Sequence, residues 1–374
     1  MKEIKGPFVS ALAHHWLVGE RGGEKVLKIL CELFPDTPVY TLVRRRSFYP
    51  PWLVHHQVFE SGFRFMPFSS KYFRALLMFF PWFIASIPKV RGRTSILISS
   101  DASMIKGLTC EDGVIHICYC HSPPRYLWEM QDVYFSSGLF RGIKKRLFGV
   151  FASSLRKYDK SAAKGVTHFI ANSEFVAERI KKYYGRDAIV IHPPVELENF
   201  KFSPVKKNYF LVVSEMVPYK RIDLVLLAFS KISDQLIVVG GGSEQKKLQA
   251  MASSNVTFVG RVNLKDLVQY YSDARAFIFP GIEDFGITPI EAQASGTPVI
   301  AFKKGGCLET VIDGVTGVFF EQQTPDSLLN AIRDFKESNI SPIKCLENSK
   351  NFSKELFKKK VGSFLNSSTA DNET

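Results

Sequence analysis

The sequence predicts an α/β chain of two doubly wound domains, and three observations carry that prediction. Its 374 residues suffice for two domains with separate cores. A hydrophobic fraction of 45% with 23% charged residues is that of a folded globular chain. Short apolar runs alternate with longer helical patterns through both halves, as in parallel sheets wrapped by helices.

In the first half the clearest strands are Ser95–Ile98, Val114–Tyr119 and Thr167–Ile170. Ser173 is placed to cap a helix over Phe175–Tyr184. The paired prolines of Ile189-Val-Ile-His-Pro-Pro-Val195 forbid helix and favour an extended connector, so the domain boundary is set there. The expected division is 1–195, a linker over 196–208, a second domain over 209–345, and a helix over 346–374 that packs back toward the first domain.

The second domain opens with strand Tyr209–Val213, helix Ile222–Ile232 and strand Gln235–Val239. Strand Val256–Val259, helix Leu264–Tyr271 and strand Ala276–Phe279 follow, with a further strand at Pro298–Ala301. The tail Phe352–Leu365 has helical spacing, and Asn366–Thr374 is expected to fray.

The net charge of +13 is unevenly placed. Residues 1–190 hold 28 Lys/Arg against 15 Asp/Glu, whereas residues 191–374 hold 21 of each. The first half is therefore expected to meet an acidic surface. Without a zinc-finger spacing, an aromatic RNA-binding signature or a basic tail, anionic lipid is favoured and nucleic acid is not expected. Two segments suit a membrane surface. Ala75–Ile87 is apolar but too short and proline-broken to span, so it is a core helix or an interfacial patch. Residues 141–164 carry eight basic residues and one acid, Asp159, with Ile143, Leu147, Phe151 and Leu155 recurring every four positions. That pattern fits a helix lying on a membrane or an ordinary solvated helix.

Six scattered cysteines do not form a disulfide framework and point to a reducing cytosol. Cys118-Tyr-Cys120-His121 lacks a second ligand pair, so a buried strand is expected and no metal. The N-terminal segment MKEIKGPFVSALAHHWL has no continuous apolar run before a cleavage site, so no signal peptide is expected.

The chemistry concentrates in GIEDFGITPIEAQASG, residues 281–296, between two apolar strands. Its loop emerges at the carboxyl edge of a parallel sheet, where such sheets bind ligands. Thr288-Pro-Ile-Glu291 reads as a capping box, and Gly296 as the helix stop. Glu291 then has two readings. It bonds back to the backbone of Thr288, or it receives hydroxyls of a ligand whose phosphates sit on the amides of Phe285, Gly286 and Ile287. Glu283, eight positions earlier, would flank the same anion site and take hydroxyls from its other side. Lys220 and Arg221, in Val217-Pro-Tyr-Lys-Arg, follow a strand and place two cations by that edge, or else form a plain basic helical turn. Gly22 and Gly23 belong to a glycine-rich turn that enters a helix, where a ligand or merely a turn would need them. No Asp-x-Asp triplet occurs, so metal chelation of a diphosphate is not expected. Hydride transfer is disfavoured because glycines 240–242 lack Gly-x-Gly-x-x-Gly spacing.

The segments RGGEKVL, CYCHSPPRYLW, ANSEFVAERIKKYYG, VIHPPVELENF, VVSEMVPYKRIDL, VTFVGRV, FPGIEDFGITPIEAQASGTPVIAFKKGG and ETVIDGVTGVFF occur in that order. Together the set resembles retaining glycosyltransferases of family 4, with the GT-B fold of two Rossmann-like domains across a cleft. HSPPRYLW and VPYKRID most resemble bacterial O-antigen and exopolysaccharide mannosyltransferases. The resemblance implies that Glu291 binds ribose hydroxyls, Glu283 lies against the donor sugar, and the amides of 285–287 face sugar and diphosphate. It implies that Lys220 pairs with phosphates, that His121 meets the reacting sugar, and that Gly22–Gly23 close over the diphosphate.

It further implies a nucleotide diphosphate sugar as substrate, GDP-mannose foremost, and no cofactor. The acceptor would be a lipid-linked saccharide, and the enzyme peripheral on the inner face of the cytoplasmic membrane. Glu215 stands where most relatives carry arginine: either Arg221 compensates, which is favoured, or Glu215 points elsewhere, or donor handling is altered. A nucleotide-sugar epimerase and an inactive donor-binding subunit are the alternatives.

Overall fold

The computed structural model describes residues 9–66, 70, 73–92, 95–130 and 141–370, with backbone alone for 74, 75, 141–148, 369 and 370. The expectations for the extreme N-terminus and for Ile143 and Leu147 fall outside what is described. The chain forms two compact units, residues 1–194 with 357–374, and residues 195–356.

The first unit holds a seven-stranded parallel sheet: β1 (Val9–His14), β2 (Val39–Thr41), β3 (Val58–Glu60), β4 (Ile96–Asp101), β5 (Ile115–Cys120), β6 (His168–Ala171) and β7 (Ala188–Val190). The order is β3-β2-β1-β4-β5-β6-β7. All six residues of β4 are buried, so the central strands carry no polar alternation, as expected where both faces are covered. The principal helices are α1 (Gly22–Leu33), α2 (Arg141–Lys164) and α3 (Glu174–Tyr184). Ser173 caps α3 by accepting from the Val176 amide at 3.1 Å. Cys118 and Cys120 are buried in β5.

The second unit holds a six-stranded parallel sheet of β8 (Tyr209–Val213), β9 (Gln235–Val239), β10 (Val256–Gly260), β11 (Ala276–Phe279), β12 (Val299–Phe302) and β13 (Gly317–Phe320). Its order is β10-β9-β8-β11-β12-β13. Helices α4 (Ile222–Phe229), α5 (Leu264–Asp273) and α6 (Ile287–Ala294) connect these strands. Each sheet reverses its strand order once, between β1 and β4 in the first and between β8 and β11 in the second.

Several boundaries differ from the sequence reading. Residues 196–208 are part of the second unit, not a free linker. The Lys206 ammonium donates to the carbonyls of Ser272 and Ser295 and to Thr297 Oγ1, which ties the segment down. Residues 346–356 also stay with the second unit. The last helix, α7 (Lys354–Ala370), does not fray after Leu365. Phe357, Val361, Phe364 and Leu365 lie in the core of the first unit with Leu12, Ile98 and Tyr119, and Ser368 is buried too. Residues 75–87 are not one helix: a 3₁₀ segment over Phe73–Phe79 precedes a short helix over Phe80–Ala85, with Pro81 in its first turn. On α2, Leu155 is buried whereas Phe151 is exposed, so these two do not share one buried stripe.

Asp159, the one acid of α2, is not a surface group. It lies fully buried against Lys106 at 2.5 Å, and Lys106 reaches Asp101 at 3.2 Å. Burial opposes the Lys106 charge, but Asp101 and Asp159 outweigh it and hold the ammonium well above its ordinary pKa. The indole of Trp128 and the hydroxyl of Tyr184 donate to Asp159 Oδ2 at 2.9 and 2.8 Å. One lysine therefore fastens α2 to the end of β4. Lys106→Met would leave two buried carboxylates unpaired, and the expected loss is about 3–5 kcal/mol. A urea midpoint equal to that of the unchanged protein would contradict the assignment.

Candidate functional site

In the second unit, β8 and β11 are adjacent, and their chains leave toward helices on either side of the strand-order reversal. A doubly wound sheet opens a crevice at such a point, beyond its strand ends. The loop after β8 carries Lys220 and Arg221, and the loop after β11 carries Glu283 and leads into α6. Lys220 Nζ and Glu283 Oε1 form an ion pair, with both side chains mostly buried. A Cβ on Gly281 would stand 3.2 Å from Lys220 Cα, so a side chain there would press the two loops a few tenths of an ångström apart.

The N-cap of helix α6 is Gly286, two residues before the predicted Thr288, which corrects the capping box. Gly286 caps it in the left-handed region, at φ +88°, and no side chain caps the helix. Thr288 and Glu291 consequently lie inside the helix. Glu291 is buried, and its Oε2 accepts from the Tyr271 hydroxyl at 3.0 Å. Burial first, and then the Glu291 charge, push the Tyr271 phenol well above its usual pKa, so it remains a donor. The loop is fastened from behind, because Gly306 N donates to Glu283 O at 3.0 Å. A Cβ on Gly306 would fall 2.3 Å from Phe285 Cα. The Phe285 side chain is buried against Val195, Ile290 and Phe352, so Phe285 brings only its backbone to the loop surface.

Lys220, Arg221, Glu283, Phe285, Gly286, Ile287 and Glu291 thus all lie on two neighbouring loops and the helix that follows. Arg221 adopts φ +54°, a costly conformation for a side-chain-bearing residue, and its Nε bonds Asp223 Oδ1 at 3.2 Å. Strain of this kind concentrates where surrounding structure demands a particular side-chain position. Its ion pair with Asp223 gives the expected compensation for Glu215 no direct support.

The first unit places His121, Gly22 and Gly23 around its own strand-order reversal. His121 follows β5; its Nε2 lies 2.8 Å from Ser100 Oγ at the end of β4. Gly22 and Gly23 open α1, and a Cβ on Gly23 would stand 3.2 Å from the His14 ring. His14 and His15, at the end of β1, were missed by sequence reasoning. Their position as consecutive polar residues closing an apolar run was the available signal. Both are buried, and burial drives their pKa values down, for His15 to about 4. Ser100, missed as well, lies 3.0 Å from His14 Nδ1. Among the described residues no acidic, histidine and cysteine cluster could hold a metal ion.

Glu24, in the first turn of α1, forms a capping box in which its Oε2 accepts from the Arg21 amide at 3.1 Å. Burial raises its pKa from 4.5 to about 7. The folded state therefore holds the proton more tightly than the unfolded chain. The corresponding stability is complete below pH about 4.5 and is lost as pH rises through about 7. Glu24→Gln should remove that loss. In denaturant titrations, the variant should gain on the unchanged protein between pH 5 and 8; a constant difference would refute the sign.

Residues 195–352 match the family model described as Glycosyl transferases group 1. The GDP-mannose-dependent alpha-(1-6)-phosphatidylinositol monomannoside mannosyltransferase of Mycolicibacterium smegmatis is 28% identical over 194 residues, 43% of this chain and 51% of that one. O-antigen chain mannosyltransferase RfbU of Salmonella typhimurium is 35% identical over 153 residues, 38% of this chain and 43% of that one. The chain spans about half the length of the curated relatives it matches. The solved structure of Anabaena Alr3699/HepE in complex with UDP superposes with a TM-score of 0.69 at 17% identity, covering 96% of this chain and 100% of that one. The fold is that of GT-B proteins, two Rossmann-like units, and the second unit carries the glycosyl transferases group 1 pattern.

Proposed function

We propose that the protein is a retaining glycosyltransferase that moves a hexose from a nucleotide diphosphate sugar, GDP-mannose foremost, to a lipid-linked or growing polysaccharide acceptor. The observation that carries this reading is the Lys220–Glu283 pair beside the start of α6, with Glu291 one helical turn further on. A cation, main-chain amides at a helix start and two carboxylates match a ligand whose diphosphate is flanked by hydroxyl-rich groups. The names of both relatives agree with mannose as the sugar, and that of the Mycolicibacterium smegmatis enzyme with GDP-mannose as the donor.

In this reading Glu291, steadied by Tyr271, accepts ribose hydroxyls, and Glu283 accepts hydroxyls of the donor sugar. As the bond from the sugar C1 to the phosphate oxygen breaks, its electron pair leaves with the diphosphate. Lys220 and the amides of 285–287 stabilise that charge, and Arg221 adds to the positive field. The acceptor oxygen bonds C1 on the face the diphosphate leaves, and its proton passes to a phosphate oxygen. Lys220 has the larger part, because the charge it faces grows in the transition state.

The acceptor's lipid would lie against the basic first half. Support comes from the surplus of Lys/Arg there and from the exposed aromatics Phe65 and Trp82. No described helix is long and apolar enough to cross a membrane, so contact would be at the surface.

Purified protein with GDP-mannose and a lipid-linked acceptor should form a mannosylated product. Lys220→Ala should lower kcat about 10²–10³-fold. Glu291→Ala should instead weaken the donor, raising its KM about 10-fold. Failure of every common nucleotide sugar to transfer would sink the reading, and a new free sugar formed without acceptor would replace it with epimerisation.

A further inference from the structure

We propose that Glu283 selects against the spent donor: its carboxylate admits a nucleoside diphosphate that carries a sugar and repels the bare nucleoside diphosphate left after transfer. The inference rests on the reading of this loop pair as the donor site.

Lys220 is not an unclaimed cation. Its ammonium is paired with Glu283 Oε1, and the two side chains are only 20% and 17% exposed. The Tyr219 ring centroid lies 5.6 Å from the same ammonium. Any phosphate drawn to Lys220 therefore arrives beside a carboxylate. The ammonium has three hydrogens and can serve both anions at once. The anions still repel each other, and more strongly in a mostly buried site than in water.

Glu283 has little room to withdraw. Its carbonyl accepts from the Gly306 amide at 3.0 Å, and a Cβ on Gly305 would fall 2.6 Å from that same oxygen. On the other loop, the Lys220 amide donates to the Val217 carbonyl at 3.1 Å, within the 3₁₀ turn Pro218–Lys220. Both backbones are thus held, and only side-chain torsions can separate the pair.

A carboxylate kept in place needs hydrogen-bond donors once its lysine is shared. The hydroxyls of a sugar esterified to the diphosphate are such donors. Bonds to an ionised acceptor are about twice as strong as neutral ones, so the full donor offsets the repulsion its own phosphates create. During transfer the positive charge developing at the sugar C1 offsets it further, so the penalty falls after the sugar has gone. The spent donor has neither compensation. Its ribose hydroxyls belong to Glu291 in this reading, and it has no others to offer Glu283. Its terminal phosphate has also become a monoester, with a charge of about −1.5 to −2 at pH 7, more than the sugar-esterified form carries. It meets Glu283 with more charge and fewer hydrogens, and its departure returns Lys220 wholly to Glu283.

Calorimetry on the full chain compares GDP with GDP-mannose and UDP with UDP-glucose; whichever pair binds supplies the comparison. Glu283→Gln keeps the size of the side chain and removes its charge. It should bind the nucleoside diphosphate about 10-fold tighter and gain nothing for the nucleotide sugar. Glu283→Asp keeps the charge and should leave the nucleoside diphosphate as weak as before. A role confined to holding the loops together would make the two variants behave alike. In transfer assays the nucleoside diphosphate should inhibit Glu283→Gln at about 10-fold lower concentration. Equal or weaker binding of the nucleoside diphosphate by Glu283→Gln, an equal gain for the nucleotide sugar, or an equal gain in Glu283→Asp overturns the proposal. Should no nucleotide sugar and no nucleoside diphosphate bind the unchanged protein or the variants, the donor site itself falls, and the inference with it.

Discussion

The second unit depends on a main-chain approach that an added side chain would force apart. The loop after β11 is held between two backbones, that of Gly306 behind it and that of Lys220 beside it. Added carbons at Gly306 and Gly281 would stand 2.3 Å and 3.2 Å from their neighbours. From this one constraint the rest of the site follows. Glu283 meets Lys220 because the loops touch, and α6 starts at Gly286 because the loop must turn sharply through a positive φ. Glu291 then falls far enough inside the helix to be met by Tyr271 from α5. A carboxylate buried this deeply persists only with a donor, and Tyr271 supplies one.

The first unit shows the same topology serving different chemistry. Its reversal between β1 and β4 gathers two buried histidines that burial keeps neutral, with a serine and a third histidine beside them. Charge is kept further back, in the Lys106–Asp101–Asp159 triad, where it locks α2 to the sheet. The division has a physical consequence. Neutral rings such as those of His14 and His15 can direct a hydroxyl without adding charge to the strand ends, whereas a carboxylate placed there would add one.

The fold was legible because burial on both faces turns central strands into uninterrupted apolar runs, as at Phe277-Ile-Phe279 and Ile96–Ile98. The loop residues of the second unit were legible for a related reason. Glycine, proline and charge at fixed offsets between two such runs leave few conformations open. What stayed hidden depended on partners distant in sequence. Thr288-Pro-Ile-Glu291 has every local mark of a helix start, and only the packing around Gly286 moves that start upstream. Asp159 reads as a lone acid on a basic helix until Lys106, 53 positions earlier, is found beneath it. Ser100 looks like any polar residue closing a strand, and its role emerges only where β1, β4 and β5 end together.

These hidden partners share a property that bears on function. Each is a buried polar group whose worth depends on another group being in place: Glu291 on Tyr271, Lys106 on two carboxylates, Ser100 on the imidazoles it meets. Left unpaired, a buried donor or acceptor costs its full desolvation, so such pairs hold their geometry more firmly than surface contacts do. For the proposed nucleotide sugar, a flexible and hydroxyl-rich ligand, that stiffness would favour binding. The ligand's own torsions already oppose binding, and a protein that also had to order its side chains would add to the opposition. Glycine at the loop contacts and neutral hydrogen-bonded rings in the first unit are thus two means to one end. Both remove freedom from the protein before a ligand arrives.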